Sequence, residues 1–66
     1  MSKYENIAEN YYNGNRKDAC QLFKKLGNYE KAEFIDWITE IYEAMDAINF
    51  LKSYFRTLEN LKRVKK

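Results

Sequence analysis

Four carboxylates spaced three, four and three residues apart are the first groups in this chain that could do chemistry. Glu33, Asp36, Glu40 and Glu43 share one side of a helix at 100° per residue. A calcium loop is excluded, because it needs acids at alternate positions around a glycine. Proton transfer needs a second kind of group beside the acids, and the chain has no histidine and no nucleophile set against a base. Cys20 is the single cysteine, so an internal disulfide is impossible and the common zinc sites lack ligands. With no base to activate it, Cys20 reads as a small, half-buried apolar residue. No glycine-rich phosphate loop is present. The expectation is a protein that is not an enzyme, uses no metal or cofactor and takes no small-molecule substrate. Three readings of the acidic face remain: a solvated surface, the complement of a basic one, or a phosphate-like face inhibiting a host nucleic-acid-binding enzyme.

The cations lie further on. Residues 29–46 carry a net charge of −5, whereas residues 47–66 carry +5, within an overall charge of +2. Lys52, Arg56, Lys62, Arg63, Lys65 and Lys66 form the basic end. They are candidate contacts for nucleic-acid phosphates, although a short basic tail also serves solubility and helix-end electrostatics. Opposite charge on adjacent segments suggests that the two face each other, within one chain or between chains.

Aromatic residues are 17% of the chain, which argues against disorder despite the high charge. Phe34, Ile38, Ile41 and Met45 step at 4, 3 and 4 along one helix face. After Asp46 the apolar stripe is read as Ile48, Leu51, Tyr54, Phe55, Leu58 and Leu61. Its centre is rotated by about 110° from the earlier stripe, more than the ~40° that heptad drift supplies. The helix is therefore expected to break or kink near Asp46–Asn49, with Asp46 as a cap. One unbroken helix serving two partners is the alternative. Phe50 and Tyr42 fall off both stripes, and the aromatics exceed what one small core needs. The expected protein-binding surface is Phe34, Trp37, Ile38, Ile41, Tyr42 and Met45 together with Ile48, Leu51, Phe55 and Leu58, since Trp and Tyr dominate such sites.

The elements that position these groups read as all-α. Ser2-Lys3-Tyr4-Glu5 fits a capping box, and Tyr4, Ile7, Ala8 and Tyr11 follow at helical spacing. Gly14 reads as a helix stop and Asn15 as the next cap. Ala19, Leu22, Phe23 and Leu26 give a second helix. Gly27 is expected to take a left-handed cap and Asn28 to cap a third helix, which forms a helical hairpin. The chain is read as one domain, 1–66, of three to four helices at about 3–12, 16–26, 29–45 and 47–63, the last part long or kinked. A chain of 66 residues buries little core, and association is the usual remedy without disulfide or metal. A homo-oligomer or a protein partner is therefore expected. No run approaches the ~20 apolar residues of a membrane span. The start of the chain begins no apolar run, and a lone thiol fits a reducing cytoplasm.

Helix, short glycine turn and helix also suggest a helix-turn-helix. Its recognition helix would be the acidic segment from Tyr29 to Met45, whereas a major-groove helix is neutral or basic. Nucleic acid is therefore the less favoured partner.

Two resemblances attach to the second and third helices. Ala19, Cys20 and Phe23, followed by Gly27-Asn28-Tyr29-Glu30-Lys31-Ala32, resemble the middle of one tetratricopeptide unit. Asp36 departs from that pattern and no proline follows, so the resemblance implies a helical hairpin alone. Asn13-Gly14-Asn15-Arg16-Lys17-Asp18-Ala19 with Phe34-Ile35-Asp36-Trp37-Ile38 is similar to short helical proteins of phages and mobile elements. That resemblance implies a small accessory protein, a regulator or an inhibitor of a host protein.

Overall fold

The computed structural model describes residues 2–64. Lys65 and Lys66, expected to contact nucleic acid, lie outside the described residues. Four helices are present: α1 Lys3–Tyr12, α2 Arg16–Lys24, α3 Asn28–Ile41 and α4 Ala44–Val64. No strand occurs among the described residues.

Local chemistry explains most of the boundaries. Ser2 Oγ accepts from the Glu5 amide, and Glu5 Oε1 accepts from the Ser2 amide, so the capping box satisfies two amides that the first turn leaves free. Gly14 closes the α1–α2 corner at φ +90°, a conformation in which a side chain is strained. Asn15 precedes α2 without a side-chain cap bond; its Nδ2 donates instead to Asn10 Oδ1. Gly27 differs from expectation. It is extended, at φ −70° and ψ 169°, and acts as the N-cap of α3 rather than a left-handed cap of α2. Its amide donates to Glu30 Oε1, and Asn28, expected as the cap, is instead the first residue of α3.

The break in the second half falls earlier than expected. α3 ends at Ile41 and α4 begins at Ala44, with the corner at Tyr42–Glu43. Asp46 is thus a first-turn residue of α4, where a carboxylate faces the positive end of the helix dipole. Neither glycine nor proline marks the corner; Tyr42 leaves the helix at φ −112° and ψ −113°.

The inward face of α4 also differs. Tyr54, a member of the expected stripe, is buried, but it is joined by Ala47 and Phe50, while Ile48 and Phe55 are exposed. Leu51, Leu58 and Leu61 sit at the edge. Both stripes have helical spacing, and aromatic packing selects between them. Phe50 touches Tyr11, Phe23 and Phe34, with ring centroids 5.1, 5.1 and 5.0 Å away. Edge-to-face aromatic pairs add roughly 0.5–1.5 kcal/mol beyond area burial. Ile7, Ala19, Cys20, Leu26 and Ile38 complete the core.

α1 packs mainly on α2, α4 lies across α2 and α3, and α1 meets α3 more sparsely. At about 31 Å, α4 is the longest element of a molecule measuring 38 × 22 × 19 Å. Its fully buried side chains all lie in its first eleven residues. No helix of the structure, among the described residues, is long and apolar enough to cross a membrane.

Candidate functional site

The sparse contact between α1 and α3 leaves a groove of about 670 Å³ lined by Glu5, Ala8, Glu9, Tyr12, Asn13, Trp37, Ile41 and Tyr42. Aromatic pairs bridge both ends. At one end Tyr4 meets Phe34 and Trp37, with centroids at 5.7 and 6.1 Å. At the other, Tyr12 meets Tyr42 at 4.9 Å. Ala8, being small and buried, leaves the space between. Glu5 and Glu9, one turn apart on α1, make the rim acidic.

Tyr42 carries this groove round the α3–α4 corner. Ile41, Met45 and Ile48 stand exposed there, at 58%, 59% and 48%. The corner therefore presents a run of large exposed apolar side chains, Tyr12, Ile41, Tyr42, Met45 and Ile48, beside Trp37, which is half-buried against the core. Runs of this kind mark interaction surfaces more often than scattered apolar residues do.

The ten residues expected to bind protein are thus divided. Phe34 and Ile38 are wholly buried, each at 0%, and a folded chain cannot offer them to a partner. They had seemed surface residues because one stripe served both core and contact. Leu51 and Leu58 pack half-buried against the core. Trp37 is half-buried against the core as well and lines the groove, while Ile41, Tyr42, Met45 and Ile48 form the exposed corner surface. Phe55, 62% exposed, stands about 10 Å further along α4, among Lys52, Arg56 and Arg63.

Glu33, Asp36, Glu40 and Glu43 are all exposed. Among the described residues the one ion pair is Lys3–Glu30, at 2.7 Å. Among the described residues the acidic and basic segments are therefore not paired with each other, contrary to one reading of their opposite charge. α3 joins α4 through its core face, which leaves the acidic face in solvent. Glu33 accepts instead from the Tyr4 hydroxyl at 2.7 Å. That bond is the first cause, with some burial and the Glu33 charge behind it, that pushes the Tyr4 phenol up to about 12. Partial burial, then the nearby Asp46 carboxylate, push Tyr12 up to about 12 as well. Both phenols are protonated across the neutral range and can donate. Lys3, followed by the Gly27 amide, holds the Glu30 carboxyl below its ordinary value.

Cys20 is buried and its Sγ lies 3.9 Å from the Tyr54 carbonyl oxygen. Burial pushes the thiol up, which keeps it protonated and weakly nucleophilic.

Arg16 is the charged group that the sequence reading passed over. It opens α2, and its guanidinium turns back towards α4: Nε donates to the Tyr11 carbonyl oxygen and Nη1 to Ser53 Oγ, both at 3.3 Å. The only signal in the sequence was its place directly after the Asn13-Gly14-Asn15 corner, which aims it across the bundle.

No family model, curated protein or solved structure matches the chain. Residue roles therefore rest on this chain's own geometry.

Proposed function

We propose that this chain is a non-enzymatic protein-interaction module that associates with a second copy of itself through the α3–α4 corner. The exposed run of Ile41, Tyr42, Met45 and Ile48 carries the proposal. Four large apolar residues turned outward are costly in a domain this small, and burial in an interface recovers about 25 cal/mol per Å² of apolar surface. A 66-residue core supplies little stability of its own, which a second subunit adds by mass action. The module works in the cytoplasm as an accessory protein, of the phage or mobile-element kind that the Asn13–Ala19 run resembles. The test is molar mass in solution for the natural protein and for Ile41→Lys with Met45→Lys. The exposed positions tolerate lysine in the fold, so loss of association reports the surface.

One observation favours a second reading. Among the described residues no cation pairs with the acidic quartet, and Glu5 and Glu9 rim the neighbouring groove. This reading has the acidic side engage a basic surface on another protein, as an inhibitor of a nucleic-acid-binding enzyme would. Reversing Glu33, Asp36, Glu40 and Glu43 to Lys abolishes such binding if it holds; undiminished binding rejects it.

A further inference from the structure

A second surface continues along the same exposed side of α4, C-terminal to the corner, and shares no residue with it. Two adjoining grooves mark it. The first, of about 540 Å³, lies between the start of α2 and α4 and is lined by Tyr11, Arg16, Asn49, Lys52, Ser53, Arg56, Thr57 and Asn60. No carboxylate lines it. The second, of about 730 Å³, is an open stretch of the α4 surface that continues past Phe55 to Arg63, with Glu59 among the cations that line it. Lys52, Arg56 and Asn60 belong to both.

We propose that this strip binds single-stranded nucleic acid, with its cations following the phosphodiester backbone and Phe55 stacking on a base. Three features support that occupant. The cations converge from two elements: Lys52, Arg56 and Arg63 step along one face of α4, and Arg16 reaches them from α2. Among the described residues none of the four is held in an ion pair, so each is free to neutralise phosphate. Arg16 is held in place by Tyr11 and Ser53, with its guanidinium carbon 4.6 Å from the centre of the Tyr11 ring. A pre-positioned guanidinium loses less freedom when it binds. The distance from Lys52 to Arg63 is about 16 Å of helix, which matches several phosphates of one strand.

Phe55 distinguishes single strands from duplex. It is exposed in the middle of the cations, and a cationic track with an interposed aromatic ring is how proteins hold unpaired bases without reading their sequence. A duplex keeps its bases stacked and offers the ring nothing. The asparagines and Thr57 add hydrogen-bond donors for sugar and phosphate oxygens.

The experiment uses a labelled single strand of about 20 nucleotides and its duplex, measured by fluorescence anisotropy over a salt series. Every variant retains residues 65 and 66. The natural protein binds the single strand more tightly than the duplex, and the logarithm of affinity falls against log salt with a slope near −3 for four cations. Lys52→Gln with Arg56→Gln flattens that slope by about half. Phe55→Ala weakens the single strand about tenfold and leaves the duplex unchanged, with helix content by circular dichroism confirming that the variant folds. No binding at low salt, an affinity indifferent to Lys52 and Arg56, or an unchanged single-strand affinity in Phe55→Ala overturns the proposal.

Discussion

The Tyr4 hydroxyl donates to a Glu33 carboxylate oxygen 2.7 Å away, and the bond latches α1 to α3 where they otherwise meet sparsely. One residue earlier on α1 and about one turn earlier on α3, Lys3 pairs with Glu30. The latch stands at the Tyr4–Trp37 end of the groove, whose Tyr12–Tyr42 end reaches the corner surface. It also makes stability depend on pH. The Tyr4 phenol rises from 10.0 to about 12 in the fold. Its contribution is therefore complete below pH 10 and disappears as pH climbs through 12. The melting temperature is expected to fall over that window, less steeply in Tyr4→Phe with Tyr12→Phe. Identical slopes in the variant and the natural protein would show that these phenols are not responsible.

At the acid side the sign reverses. Glu30 lies below its ordinary 4.5 in the folded chain because of Lys3 and the Gly27 amide. The stability it lends is present above 4.5 and is lost as pH falls below it. Lys3→Met should shallow the acid limb of the melting curve and leave the alkaline limb alone. A change in the alkaline limb instead would contradict the assignment.

Phe50→Ala is expected to cost about 3–5 kcal/mol, because the ring lies at the meeting point of Tyr11, Phe23 and Phe34. Ile48→Ala should stay within about 0.5 kcal/mol at a protein concentration low enough to keep the chain monomeric, where the corner contacts between copies do not contribute. Urea denaturation of both variants decides which face of α4 points inward. A larger loss at Ile48 would restore the stripe read from the sequence.

How far the fold could be read from the sequence follows from where local chemistry was sufficient. Ser2 with Glu5 and the Gly14 corner are decided within a few residues, and there pattern and structure agree. α4 is different. The expected stripe Ile48, Leu51, Tyr54, Phe55, Leu58 and Leu61 and the buried set Ala47, Phe50 and Tyr54 share Tyr54 and both satisfy helical period, and the choice rests on aromatic partners that α1, α2 and α3 bring from far along the chain. The break shifted to Tyr42–Glu43 for the same reason, since no glycine or proline marks it. At the candidate site, the corner residues were visible as surplus apolar side chains. Their separation from Phe34 and Ile38 needed the packing. Arg16 was invisible because its role depends on Ser53, 37 residues away.

The two glycines make a paired prediction. Gly14 adopts φ +90°, so Gly14→Ala should lose about 1 kcal/mol through strain, although no atom lies within 4 Å of the added methyl. Gly27 is extended with equally open surroundings. Gly27→Ala should be neutral or stabilise by a few tenths of a kcal/mol. Thermal melts of the two variants test both, and equal losses would mean that Gly27 also needs its special freedom.

The central claim is that the α3–α4 corner joins copies of this chain. Light scattering after size exclusion measures it most directly, on the natural protein at high micromolar concentration and on Ile41→Lys with Met45→Lys. The expected result is a multiple of the 8.0 kDa chain mass for the natural protein and 8.0 kDa for the variant, with helix content unchanged. A natural protein that elutes as a monomer, or an assembly that both lysines leave intact, would contradict it.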